Sequence, residues 1–201
     1  MSPAFIRNTL IGVAFWVILL TVLSLSGFFA DYSAIPPRIG MAVAIPLPIV
    51  LVFAYSRTGR EWLQRTPPQR LVYLQAFRIL VECMLWLYVV RGLIPVQMSF
   101  EGRNFDVLSG LFAIPVGYFS LVRKTWPRWI VLVYNIAGLA LLINVLIISV
   151  LSMPTPLRYF HNEPANTLLA YFPYIFLPGL LVPLAYSLHI LSLRQYFILR
   201  H

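Results

Sequence analysis

From Leu10 to Ala30 the chain runs 21 residues without a charged side chain, and uncharged stretches recur from Ile39 to Ser56, Val107 to Val122, Trp129 to Leu157 and Pro164 to Leu193. A helix of about 20 apolar residues crosses the hydrocarbon core of a bilayer, satisfying its backbone polar groups internally. Runs of this length, recurring through 201 residues, leave no room for a soluble domain. The predicted fold is an all-α polytopic bundle of about six transmembrane helices, one integral membrane domain over 1–201. Its spans fall near 6–28, 38–56, 70–93, 105–122, 128–152 and 166–192. Composition agrees: 60% hydrophobic and 10% charged residues, against roughly 45–50% and 25% in soluble domains. A cytosolic enzyme, a secreted disulfide scaffold and a coiled coil are excluded on these grounds.

Arg7 ahead of an apolar run, with Ser24-Leu25-Ser26 after it, imitates a signal peptide. The run is longer than the usual apolar region of about 7–15 residues, so the first helix is read as a retained anchor. Orientation follows from the arginines, because basic residues in short loops stay on the cytoplasmic side. One side collects Arg7, Arg57, Arg60, Arg65, Arg70, Arg123, Lys124, Arg128, Arg194 and Arg200, with Glu61 the single acid among them. The other balances Arg38, Arg91, Arg103 and Arg158 against Asp31, Glu101, Asp106 and Glu163. Both termini are therefore expected in the cytoplasm. The net charge of +9 is a topology signal, and no nucleic-acid partner is expected.

The third span carries charge where charge is expensive. At about 100° per residue Gln75, Arg78 and Glu82 share one face, which Trp86 continues. A lone charge at mid-membrane costs roughly 2.5–3.5 kcal/mol on insertion scales, so such residues face protein or water and seek a partner. Arg78 and Glu82, four residues apart, are expected to pair with each other, and Gln75, Asn135 and Asn144 to complete an intramembrane polar network. Two roles are open: an ion pair that fixes helix packing, or a binding or relay site. The order Arg before Glu opposes the helix dipole, so isolated-helix stability explains it poorly.

A second polar cluster precedes the fourth span: Arg91, then Glu101, Arg103, Asn104 and Asp106, with His161 on a neighbouring loop. Carboxylates and imidazole there could serve a divalent ion or an anionic head group. The simpler account is local folding, with Asn104 as a helix cap, Asp106 in a first turn and Gly102 at a bend. No metal site is assigned. By helical rise the cluster should lie about 15–20 Å from the Arg78 pair.

The other chemistry-bearing residues are sparse. Cys83 stands alone, which excludes an intramolecular disulfide and a thiolate cluster. His161 is expected in an outer loop and His189 near the inner end of the sixth span, separated by about a bilayer thickness of 30 Å, so the two cannot be axial ligands of one haem. His201 is terminal. Ser109 has no evident base at its depth, and the zinc-peptidase, nucleophile-elbow and phosphate-loop motifs are absent. No cofactor is expected. Prolines punctuate the second, fourth and sixth spans at Pro46, Pro48, Pro115, Pro173, Pro178 and Pro183. Broken helices of that kind line transporter sites.

The runs Gln75-x-Phe77-Arg78-x-x-Val81-Glu82 and Phe100-Glu101-Gly102-Arg103-Asn104-Phe105-Asp106, followed by Gly110, resemble a family of small multi-pass bacterial membrane proteins of uncharacterised activity. The resemblance covers mainly residues 70–118. It implies a bacterial inner (cytoplasmic) membrane and supplies no catalytic role.

The leading functional expectation is non-enzymatic: a protein in the lipid bilayer that binds or moves a small polar or lipid-derived ligand between the Arg78/Glu82 network and the Glu101–Asp106 loop. The alternatives are a non-catalytic accessory subunit or scaffold, with a membrane-protein partner or a second copy of itself, and a lipid-modifying enzyme with an outer-face site.

Overall fold

The computed structural model describes residues 3–199, whose regular structure is all helical, with no strand among them. Arg200 and His201, two of the residues singled out above, lie outside the described residues. Four helical segments are long and apolar enough to cross a membrane: α1 (Pro3–Leu25), α5 and α6 together (Pro68–Leu74, Phe77–Val90), α8 (Trp129–Leu151), and a π-helical turn Leu177–Leu181 running into α9 (Val182–Ile198). A fifth arises if α2 and α3 (Ile39–Ala44, Pro46–Tyr55) are joined with α4 (Arg57–Arg65) across a 74° bend. The expected fourth span is a shorter apolar helix of 107–122, in which α7 (Val107–Pro115) passes into a π-helical stretch, Val116–Val122.

Proline accounts for three of the breaks. It offers no N–H to the carbonyl one turn earlier, and its ring crowds that carbonyl. The second helix divides at Ile45, just before Pro46. Pro115 precedes the first π-helical stretch, and Pro178 lies inside the second. Pro183 cannot serve the carbonyl of Gly179, and that oxygen instead accepts the indole N–H of Trp16 from α1 at 2.8 Å. Gly179 also admits Leu20, whose Cδ1 would lie 2.7 Å from an added Cβ.

The last helix departs from expectation. The sequence placed a span near 166–192, whereas continuous helix begins at Leu177 and runs to Ile198. Residues 171–176 form a turn containing Pro173, and a short 3-10 turn, Leu168–Ala170, precedes it. This offset moves His189 from the end of the helix to its middle.

Loops gather at two ends. At one end Gln195 Nε2 donates to Leu63 O and Thr66 O, and Arg128 donates to Tyr196 O and Leu199 O, where a cation suits the dipole of α9. Phe5 lies against Phe53 there, so the Arg7, Arg57–Arg70, Arg123–Arg128 and Arg194 segments share this basic end. At the other end Ser24 donates to Ala170 O, Tyr32 to Thr167 O, and Asn144 to Arg103 O. Between the ends the outer surface is apolar: Leu10, Phe15, Ile18, Ile49, Val52, Leu80 and Ile143 are all exposed.

Candidate functional site

The deepest polar cluster is assembled by close helix approach. Gly110 packs against Ile79, whose Cγ1 would lie 2.8 Å and backbone N 3.0 Å from an added Cβ. Asp106, one turn earlier at the start of α7, and Ser109, the residue before Gly110, are both delivered to Arg78 by that approach. Arg78 donates Nε–H to Asp106 Oδ2 at 2.7 Å and Nη2–H to Asp106 Oδ1, a two-pronged ion pair. Its Nη1 reaches Ser109 Oγ at 2.8 Å and His189 Nε2 at 2.9 Å. Arg78 is 2% exposed and His189 0%, so these contacts exclude solvent.

The network continues through the imidazole. Since the guanidinium can only donate, Nε2 accepts, and the ring proton belongs on Nδ1, 2.9 Å from Asn135 Oδ1. Asn135 then donates to Ser192 Oγ at 3.0 Å and to Val131 O at 2.7 Å. Gly138, one turn along α8, leaves the space that the His189 ring fills. Tyr134 donates to Ser109 O. Ser109 Oγ lies 3.4 Å from His189 Nε2, which corrects the expectation that no base stands at its depth. Hydroxyl, imidazole and amide carry the order of a nucleophile, base and orienting group. Here the Arg78 guanidinium occupies both Ser109 Oγ and Nε2.

Several sequence expectations are redrawn by this geometry. The carboxylate partner of Arg78 is Asp106, 28 residues away, rather than Glu82 on its own helix. Glu82 Oε1 accepts from Asn104 Nδ2 at 2.7 Å, while Oε2 is buried with no donor. Gln75 is also buried, but its amide donates to Ala185 O rather than to a member of the Arg78 network. Asn144 stands apart, tying α8 to the Arg103 carbonyl. The two polar clusters are not separated: the loop before α7 turns into the bundle, burying Gln97, Met98, Ser99, Asn104 and Asp106. Asn104 Oδ1 accepts the Asp106 N–H, and its amide also reaches Met98 O. The inward loop is why the following helix is short, because it begins near the depth of Arg78.

The rest of the outer cluster stays at the surface. Glu101 accepts from Trp86 Nε1 at 2.8 Å, the Arg103 guanidinium lies 5.3 Å from the Phe160 ring centre, and Arg91 and His161 are exposed. Asp31 pairs with Arg38 at 2.7 Å and Glu163 with Arg158 at 2.9 Å. Hydrogen bonds from Ser33 chiefly, with Arg38 adding to them, hold the Asp31 carboxyl below its ordinary range. Arg158 first, then the Ala165 N–H, do the same for Glu163. Burial pushes the Tyr32 phenol up to about 12. Among the described residues no three His, Cys, Asp or Glu side chains converge as metal ligands would.

A cavity of about 50 Å³ adjoins the network. Arg78, Glu82 and Asp106 form its polar end, and it extends between α6, α8 and the Leu177–Leu181 turn toward Ser149 and Leu169. Its other walls are apolar, including Phe77, Leu85, Leu142 and Val182. One water needs roughly 10–15 Å³ by this measure, so the space admits a few small groups.

Residues 36–197, from just before α2 to nearly the end of α9, match a family described as a domain of unknown function, DUF8737. The chain belongs to that family. The DUF8737 region contains every member of the Arg78 network and the whole cavity lining, while α1 precedes it. No curated protein and no solved structure matches the chain.

Proposed function

We propose that the chain is a multi-pass protein of a bacterial inner membrane that binds, and moves, a small polar or lipid-derived ligand at the Glu82 end of the cavity. The observation that carries this reading is Glu82 Oε2, buried without a donor in a side chain that lines the space. Arg78 and Asp106 answer each other's charge, and the Asn104 amide serves Glu82 Oε1. A buried carboxylate oxygen without a donor is costly to leave so. A ligand with an ammonium or hydroxyl head would complete it, and the apolar walls suit a hydrocarbon remainder.

Six spans with both termini cytoplasmic are part of the proposal. Four long apolar helices, the bent α2–α4 segment and the shortened fourth helix support the count, and the shared basic end supports the orientation. Movement is supported by the wall itself. The Leu177–Leu181 turn is π-helical, a form that occurs mostly as short interruptions and often at functional sites. The test is native mass spectrometry of the intact protein released from mild detergent. A stoichiometric adduct in the wild type that is lost in a folded Glu82→Gln variant is the expected result. Identical spectra for the two proteins would overturn the reading.

A further inference from the structure

A second, larger cavity of about 640 Å³ opens at the basic end, far along the bundle from Glu82. It lies between the Val116–Val122 turn, the start of α8 and the last turn of α9, and its lining includes Ser120, Lys124, Trp126, Arg128, Gln195 and Tyr196. We propose that it binds a phosphate-bearing polyol, the head group of an anionic phospholipid such as phosphatidylglycerol.

Charge supplies the first argument. Lys124 and Arg128 line the cavity, Arg123 adjoins it in sequence, and none of these cations is in an ion pair among the described residues, where the three pairs are Arg38–Asp31, Arg78–Asp106 and Arg158–Glu163. Arg128 is already fixed by the Tyr196 and Leu199 carbonyls. It is therefore preorganised for an anion at little further entropic cost.

Two orphaned polar atoms supply the second, and they distinguish a head group from a diffuse basic patch. Gln195 Nε2 donates to both Leu63 O and Thr66 O, which fixes the amide's orientation and leaves Oε1 buried without a donor. Ser120 Oγ is likewise buried without a partner. A phosphate oxygen would accept from the Ser120 hydroxyl, and a glycerol hydroxyl would donate to Gln195 Oε1. Trp126 and Tyr196 place amphipathic rings beside the cavity, as interfacial aromatics do at head-group level. The site shares no residue with the Glu82 cavity.

The experiment titrates the full chain in mild detergent with phosphatidylglycerol and, separately, with phosphatidylcholine of the same acyl chains, scoring bound lipid by native mass spectrometry. One phosphatidylglycerol per chain, bound at least ten-fold more tightly than phosphatidylcholine, is expected. Lys124→Asn should weaken it about five-fold; asparagine tolerates the left-handed backbone at φ 55. Ser120→Leu should abolish binding, whereas Glu82→Gln should leave it unchanged, so the two sites fail or stand separately. Glycerol 3-phosphate added as competitor separates the sources. Displacement of the lipid supports the phosphate site with a soluble ligand, and persistence of the lipid supports a membrane one. Equal affinity for the two lipids, or full retention of binding in both Lys124→Asn and Ser120→Leu, would overturn the proposal.

Discussion

Replacing Asp106 by asparagine removes the carboxylate that answers Arg78 while keeping side-chain shape. Two unit charges about 4 Å apart attract by about 4 kcal/mol at an effective dielectric of 20. Breaking a buried pair by removing one partner costs about 3–5 kcal/mol, because the remaining charge is stranded. Arg78 is 2% exposed, and its other partners, Ser109 Oγ and His189 Nε2, carry no formal negative charge on this assignment. Asp106→Asn should therefore destabilise the ligand-free protein by about 4 kcal/mol. Glu82→Gln should shift stability by less than about 1 kcal/mol, since it relieves a poorly satisfied buried carboxylate while losing some attraction to Arg78. Reversible denaturant unfolding in mild detergent, followed by tryptophan fluorescence, measures both. The double variant Arg78→Met/Asp106→Leu should recover most of the loss, an apolar pair being no worse than a buried ion pair. A large loss in Glu82→Gln with a small one in Asp106→Asn would refute the assignment and restore the same-helix pair.

Gly138→Ala places a methyl group against the His189 ring and Ser109 Oγ; overpacking of this kind costs about 1–3 kcal/mol, readable as a lower midpoint in the same unfolding assay. Ser33→Ala should raise the Asp31 carboxyl toward its ordinary value, since Ser33 is the main cause of its depression, and carboxyl-carbon NMR titration reads that shift directly. Because both Asp31 and Glu163 are depressed in the folded chain, their support of the loops is present above the ordinary carboxylate range. It is lost as pH falls through the folded values, so amide protection factors at residues 31–38 and 158–165, taken relative to the intrinsic exchange rate at each pH, should fall in acid and hold at neutral pH and above.

Helix positions were the most legible part of the sequence, since uncharged length is a one-dimensional signal. The expected spans near 38–56, 105–122 and 128–152 lie within a residue or two of the helical segments 39–55, 107–122 and 129–151. The sixth begins eleven residues later than expected, because Pro173 withholds an N–H within an apolar run while Pro178 is accommodated in the first turn of the helix, so hydropathy continued where helix did not. Arg78, Glu82, Asn104 and Asp106 all stand out as candidates in the sequence, yet their pairing does not. Helical periodicity reports only neighbours on one helix, and Asp106 reaches Arg78 through an inward turn of the preceding loop. Hydropathy puts His189 at the inner end of a span, whereas it stands at mid-helix. A recoverable signal was present in the one-turn pairs Asp106/Ser109, Asn135/Gly138 and His189/Ser192, each setting polar or small residues on one face of its helix.

The hydrogen bond between Trp16 and the Gly179 carbonyl joins the first helix to the segment covered by the family match. Gly179 belongs to the turn that walls the Glu82 cavity, while α1 lies ahead of the DUF8737 region. Because Pro183 leaves that carbonyl without its ordinary helical donor, the indole is the donor holding it. A rotation of the turn that carries the carbonyl away must first release Trp16, so α1 braces the cavity wall. Ser24 adds a second tie from the same helix, to the Ala170 carbonyl ahead of that turn.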